Sequence, residues 1–208
     1  MYLPKHFVQH DKAALHGLIR EYPLACLVTT SADGLTADHI PLELDATLGE
    51  HGTLIGHVAR ANPLWRAAAG TPVLAVFQGV EAYVSPSWYA SKATNHKVVP
   101  TWDYVVVHAH GVLGVTEDAP WLHALVSRLT HRHEARQAKP WAVTDAPADY
   151  VQQMLRAIVG IEIPITRLVG KWKVSQNRDA ADRAGTARGL RKHSSALADL
   201  VEKSTPNV

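Results

Sequence analysis

The sequence predicts an α+β domain whose strands are predominantly antiparallel and which is closer to a barrel than to an open sheet. Three observations point there. The apolar pattern runs helix, then six or seven short strands, then two helices, then one more strand and a charged tail. Helices gathered together, rather than alternating with strands, mark an α+β fold. Many short strands broken by glycine and proline favour a barrel. With 208 residues, 47% of them hydrophobic and 19% charged, the chain is long enough to bury a core.

Asp11 stands at the cap position ahead of Leu15, Leu18, Ile19 and Tyr22, which follow helical spacing, and Pro23 stops that helix. Residues 24–30 and 36–44 are β-rich runs joined by Ser31-Ala32-Asp33-Gly34, a hairpin signal. In the second run Ile40, Leu42 and Leu44 share a face. Pro41 has no N–H to donate, so it places this strand at an edge or marks a bulge. Residues 53–59 (TLIGHVA) form a third strand, leading through Arg60-Ala61-Asn62-Pro63 into a short helix at 64–69.

Residues 71–78 and 81–85 read as two strands separated by Gly79, followed by a turn at 86–89 and a basic segment. A long strand over 104–116 then turns Val105, Val107, Ala109, Gly111, Leu113 and Val115 one way, and His108 and His110 the other. Asp118-Ala119-Pro120 and Asp145-Ala146-Pro147 each put an acid and a proline at a helix start. The first helix carries Trp121, Leu122, Leu125, Val126 and Leu129; the second covers residues 148–158, with Gly160 ending it. Residues 161–174 form a last long strand, interrupted by Pro164 and Gly170, and beyond Ser175 the pattern is weakly helical. The domain division expected is therefore a main domain over 1–177 and a charged helical tail over 178–208.

No apolar run approaches the roughly 18 residues that cross a bilayer, and the first residues lack the apolar centre of a signal peptide. A soluble cytoplasmic protein without a membrane partner is expected. The single cysteine, Cys26, sits in an apolar run and reads as a small core residue. A formal charge of +2 does not by itself imply nucleic acid, but between Arg167 and Lys192 eight basic residues face only Asp179 and Asp182. That stretch suits phosphate, of a small cofactor or of DNA, or else a solvated helical face.

Residues 83–111 concentrate the chemistry: Trp88, Tyr89, Trp102 and Tyr104 surround Lys92, Asn95, His96 and Lys97. Aromatic planes beside cations and hydroxyls suit a flat anionic ligand. His57, Arg60 and Asn62 lie where a strand turns into a helix, and a guanidinium there can grip a phosphate with two bonds. Lys171, Lys173, Gln176 and Asn177 form a further polar cluster in KWKVSQN. The alternative reading makes the tryptophans core and the lysines solvated. His108 and His110 lie about 6.6 Å apart along their strand, yet no HExxH or cysteine cluster sets zinc spacing, so no metal site is expected. No GxSxG elbow supports hydrolysis and no catalytic residue is assigned.

The segments GHVARANP, AYVSPSWY, VVPTWDYVVVHAHG, PWAVTDAPADY and MLRAIVGIEIPITRLVGKWKVSQN, with the opening HF…ALHGLI, resemble in order the PaiB-type FMN-binding negative transcriptional regulators. The resemblance runs from about Leu3 to Leu190. It implies an FMN-binding split β-barrel with flanking helices, and a homodimer with FMN in clefts at the subunit interface. It also implies repression of transcription, with DNA as partner. No helix pair here has the basic recognition face of a helix-turn-helix. By the same resemblance the cofactor-binding residues are His57, Arg60, Asn62, Trp88, Tyr89, Lys92, Thr101, Trp102, Lys171, Gln176 and Asn177. Ala90 and Asp103 stand where the family usually has proline and asparagine; Asp103 adds a negative charge near the expected phosphate. Split-barrel relatives that reduce flavin or degrade haem supply the alternative: a flavin-dependent oxidoreductase or haem-degrading enzyme, its chemistry carried by the cofactor.

Overall fold

A computed structural model describes residues 1–32 and 34–204. A 3-10 turn at Lys5–Phe7 leads into β1 (Val8–Gln9) and α1 (Lys12–Glu21). Asp11 starts α1 as its sequence suggests, accepting the Ala13 N–H at 2.9 Å, while Leu15, Leu18 and Ile19 are buried. The hairpin of β2 (Leu24–Ser31) and β3 (Gly34–Pro41) pairs in register from Leu24 opposite Pro41 to Ser31 opposite Gly34. Gly34 takes φ +105°, a conformation that asks for glycine. Asp33, part of the predicted turn, lies outside the described residues.

The run predicted over 36–44 divides at Leu42, whose N–H turns to the Pro23 carbonyl at 2.8 Å. It resumes as β4 (Glu43–Asp45), which pairs with β5 (Thr53–Ala59). After α2 (Leu64–Ala67), β6 (Pro72–Val84) is one strand and not two. Gly79 lies within this strand, without the positive φ of a turn glycine. A 3-10 turn at Pro86–Trp88 and the short α3 (Lys92–Asn95) precede β7 (Thr101–Val112) and β8 (Gly114–Thr116). The single strand expected over 104–116 breaks at Leu113, which exchanges backbone bonds with Gly70 and Thr71 at 2.8 and 3.0 Å. Val115 is consequently 40% exposed instead of facing inward.

Asp118 caps α4 (Ala119–Glu134), accepting the Trp121 N–H at 3.1 Å. Asp145 does not cap the next helix; it closes a 3-10 turn at Val143–Asp145, and Pro147 precedes α5 (Ala148–Arg156). That helix ends before Gly160, because β9 (Ile158–Lys173) begins directly and continues through Pro164 and Gly170. Gly160 is a contact point within the strand: a Cβ there would meet the Trp121 ring at 2.4 Å. The chain then forms α6 (Ala180–Leu190) and α7 (Ser195–Lys203).

The hydrogen-bonded order is β3-β2-β6-β7-β9-β5-β4, with β1 and β8 also on β9, and the pairings of β2 with β3 and β6, and of β5 with β4 and β9, are antiparallel. Proline-bearing β3 ends this order, as the missing N–H requires. Chain contacts divide the molecule into two compact units, and β6, β7 and β9 contribute residues to each. Tyr22–Phe77 and His108–Leu168 make one unit, centred on Leu27, Leu54, Phe77, Leu113, Leu122, Leu125, Ile161 and Ile163. Within it, Asn62 at the end of β5 donates to Asp38 of β3 at 2.8 Å, which draws the open end of the sheet order back toward β5.

Met1–Glu21, Gln78–Val107 and the residues from Val169 onward make the other unit, with Ile19, Val84, Val105, Leu190, Leu197 and Val201 buried. Each such side chain contributes roughly 1.5–3 kcal/mol. Cys26 is half-buried. No described helix is long and apolar enough to cross a membrane.

Candidate functional site

The predicted residues fall into both units. His57, Arg60 and Asn62 belong to the unit built on β5 and β9. His57 is on β5, its Nδ1 buried without a hydrogen-bond partner, and burial pushes its pKa below the usual imidazole value. Arg60 lies one residue beyond β5, and its guanidinium is already engaged. Nε donates to the Arg156 carbonyl at 2.6 Å, Nη2 to the Ile158 carbonyl at 3.2 Å, and Nη1 pairs with Glu117. The Arg60 N–H also bonds the Ala157 carbonyl at 2.8 Å. Arg60 therefore ties the end of β5 to the turn between α5 and β9. Asn62 starts α2: its Oδ1 accepts the Leu64 N–H at 2.9 Å while its Nδ2 reaches Asp38.

The other eight residues lie in the second unit. Ser85 and Pro86 fold the chain into a 3-10 turn, the Ser87 N–H bonding Ser85 Oγ at 3.2 Å. The turn presses Trp88 against α6 where that helix carries Gly185 and Gly189. A Cβ at Gly185 would stand 2.0 Å from the Trp88 carbonyl oxygen, and one at Gly189 2.2 Å from the indole. His193 stacks on the indole at 6.0 Å and 23°. Trp88 thus has a packing role whatever else it does.

Asp182 of α6, 2% exposed, accepts both the Ser91 N–H at 2.8 Å and Ser91 Oγ at 2.7 Å. This fixes the start of α3, where Lys92 is exposed with Nζ 3.3 Å from Ser87 Oγ. No carboxylate pairs with Lys92 among the described interactions. Tyr89 is 3% exposed and its hydroxyl lacks a well-formed hydrogen bond. Burial raises its pKa, opposed by the Arg178 guanidinium 4.5 Å over the ring.

A third group surrounds Asp103, which is fully buried. Ser175 Oγ donates to it at 2.5 Å and Lys173 Nζ at 3.3 Å, and burial nevertheless holds its carboxyl above the usual value. Lys173 also donates to Thr101 Oγ1 at 2.7 Å and to the Trp102 carbonyl. Ser175 takes φ +60°, a left-handed conformation costly for a residue with a side chain. The Trp102 indole is 55% exposed, edge-on to Tyr83 at 6.2 Å. Lys171 is 7% exposed: its Nζ bonds the Tyr2 carbonyl at 3.1 Å and lies 5.3 Å from the Tyr104 ring centre. Gln176 turns back on its own strand, to Trp172 O and Val174 N, while Asn177 is exposed.

The structure thus brings Trp88, Tyr89 and Lys92 into one turn and sets Thr101 and Trp102 on Lys173. Lys171 and Gln176 are spent on internal contacts. The residues missed as site members are Asp182, Ser175 and Arg178. Asp182 carried a signal, being one of two acids in a run of cations; the Ser175 φ carried none. His108 and His110 have ring centres 6.5 Å apart, Arg167 reaches His110 Nδ1 at 3.1 Å, and the described residues contain no cluster of three metal-ligating side chains.

Residues 1–167 match a family described as "Putative FMN-binding domain". Among curated proteins the chain is 30% identical to "Protease synthase and sporulation protein PAI 2" of Bacillus subtilis, over 97% of both chains. It is 33% identical to an uncharacterized protein of Emericella nidulans, over 91% of this chain and 90% of that one. Among solved structures it resembles an FAD- and haem-binding protein of Mycobacterium smegmatis, with a TM-score of 0.60 and 17% identity over 80% of this chain and 73% of that one. At such identity the structural likeness speaks to the fold, an α+β arrangement of the flavin-binding split-barrel kind.

Proposed function

The chain belongs to the PaiB-type family of FMN-binding proteins, with FMN as cofactor, and from that premise we propose that it is a cytoplasmic homodimer that holds FMN at its subunit interface and acts as a negative regulator of transcription. The observation that carries the FMN part is local. The turn through Trp88, Tyr89 and Lys92 offers an exposed cation beside a serine hydroxyl, on a backbone fixed by Asp182. The fit with a flavin phosphate is good: no carboxylate pairs with Lys92 among the described residues, and a charge-assisted bond to phosphate is the strong kind.

The Tyr89 hydroxyl is buried and lacks a well-formed hydrogen bond, which suits a ligand with hydrogen-bonding edges. Thr101, Trp102 and Asn177 are the remaining accessible members, and Trp102 exposes an aromatic face. Arg60, Lys171 and Gln176 act by holding backbone in place, since their polar atoms are already bonded. FMN, when bound, supplies reversible electron acceptance at its ring.

The regulatory part draws on the resemblance to the PaiB-type regulators and on the cations of α6 and its C-terminal end. Arg188 and Lys192 are exposed, whereas Arg191 is neutralised by Asp199 and Glu202. The test is a mobility-shift assay on a set of genomic promoter fragments, with and without FMN. Retardation of particular fragments that changes with FMN is expected. Equal retardation of all fragments, or of none, under both conditions would remove the regulatory reading while leaving FMN binding intact.

A further inference from the structure

A cavity of about 300 Å³ lies among α4, α5 and the end of β5, at the lower end of the range that holds small molecules (roughly 300–1,000 Å³). No side chain lining it is Lys, Arg, Asp or Glu. A flavin phosphate would find no cation there, so the cavity is not shaped by an anionic ligand. Among its lining residues is His57, whose pKa burial lowers and whose buried Nδ1 has no hydrogen-bond partner among the described residues.

The walls are unusual in what they leave uncovered. Val151, Met154 and Leu155 form the apolar stripe of α5 at helical spacing, but only Leu155 is buried. Trp141, Tyr150 and Met154, at 47, 53 and 40% exposure, are three of the large exposed hydrophobic residues of the molecule, and all three line this one cavity. The cavity floor includes Ala157 and Ile158, the turn whose carbonyls Arg60 holds.

We propose that this cavity binds an uncharged, largely aromatic small molecule, with His57 as its polar contact and Trp141 and Tyr150 against its faces. An uncharged lining excludes ionic ligands, which would lose their hydration without compensation. Concavity, and one buried imidazole nitrogen without a partner among the described residues, favour a small ligand with one hydrogen-bonding group over a flat protein surface. The cavity shares no residue with the turn through Trp88, Tyr89 and Lys92, and His57, which the family resemblance implies as a flavin contact, is assigned to this cavity instead.

The test uses the full-length protein and N-phenylnaphthylamine, an uncharged fluorophore that brightens in apolar surroundings. Saturable binding of one probe per chain is expected, with quenching of tryptophan emission. Met154→Glu, at an exposed helical position, and Val126→Trp, which fills the cavity, should each weaken binding at least tenfold with unchanged circular dichroism. Anilinonaphthalene sulfonate, a similar aromatic bearing a charge, should bind at least tenfold more weakly than the neutral probe. The FMN titration should be the same in the wild type and in Met154→Glu. Non-saturable brightening, or equal binding by wild type and folded Met154→Glu, would overturn the proposal. Displacement of the probe by FMN would also overturn it, by assigning the cavity to the flavin.

Discussion

Asp103 is a carboxylate without access to water, held by Ser175 Oγ and Lys173 Nζ. Its carboxyl is raised above the reference value of 3.8, with burial the dominant cause. A raised acid pKa in the folded state means that its favourable contribution is full below the unfolded value and is lost as pH rises through the folded one. Asp103→Asn removes that titration while keeping an acceptor for Lys173. The melting temperature of the variant relative to wild type should therefore rise from pH 4 upward and then level off, as thermal melts across the pH range would show. A flat difference would mean that Asp103 titrates as it does in the unfolded chain. Asp103→Ala strands both donors and should cost about 1–3 kcal/mol in a denaturant titration. At the flavin turn, Lys92→Ala should weaken FMN about 10- to 100-fold, the worth of one charged hydrogen bond. An unchanged dissociation constant would return Lys92 to the role of a solvated surface cation.

The elements are tied together where small residues admit large ones. Gly185 and Gly189 let α6 lie on the Trp88 turn, and Asp182 of the same helix fixes Ser91. Gly185→Ala raises helix propensity by about 1 kcal/mol, but the added methyl meets a backbone carbonyl that cannot rotate away. A net loss of about 1–3 kcal/mol is expected, read from the urea midpoint; a gain would show that the turn and helix separate freely. The sequence shows why α6 was hard to foresee. Its buried residues are Asp182, Gly185, Thr186, Ala187 and Leu190, a face of small and polar groups that leaves no apolar stripe.

By contrast α1 and α4 announced themselves through Asp11 and Asp118 and their spaced leucines. Glycine read as punctuation misplaces strand ends in this sequence. Gly79 lies inside β6 and Gly160 inside β9, and at Gly160 close packing against the Trp121 ring, not turning, accounts for the glycine. The predicted site residues could be named from ordered motifs, but composition could not tell a free cation from a spent one. Arg60 and Lys171 look identical in sequence to Lys92 and differ only in having Glu117, three carbonyls and an aromatic cage around them.

At the scale of the whole molecule, two compact units share three long strands and carry the family's motifs between them. The proposed dimer predicts a solution mass of twice the chain, by light scattering on the eluting protein; a single-chain mass with FMN bound would place the flavin in one chain and remove the interface. Flavin binding is the central property proposed for this protein. Its most direct measurement is a titration of the folded, flavin-stripped protein with FMN, followed by the change in flavin fluorescence. Saturation at one FMN per chain, weakened by Lys92→Ala and untouched by Met154→Glu, is the result predicted. Failure of the folded wild-type protein to bind FMN at any concentration would contradict it.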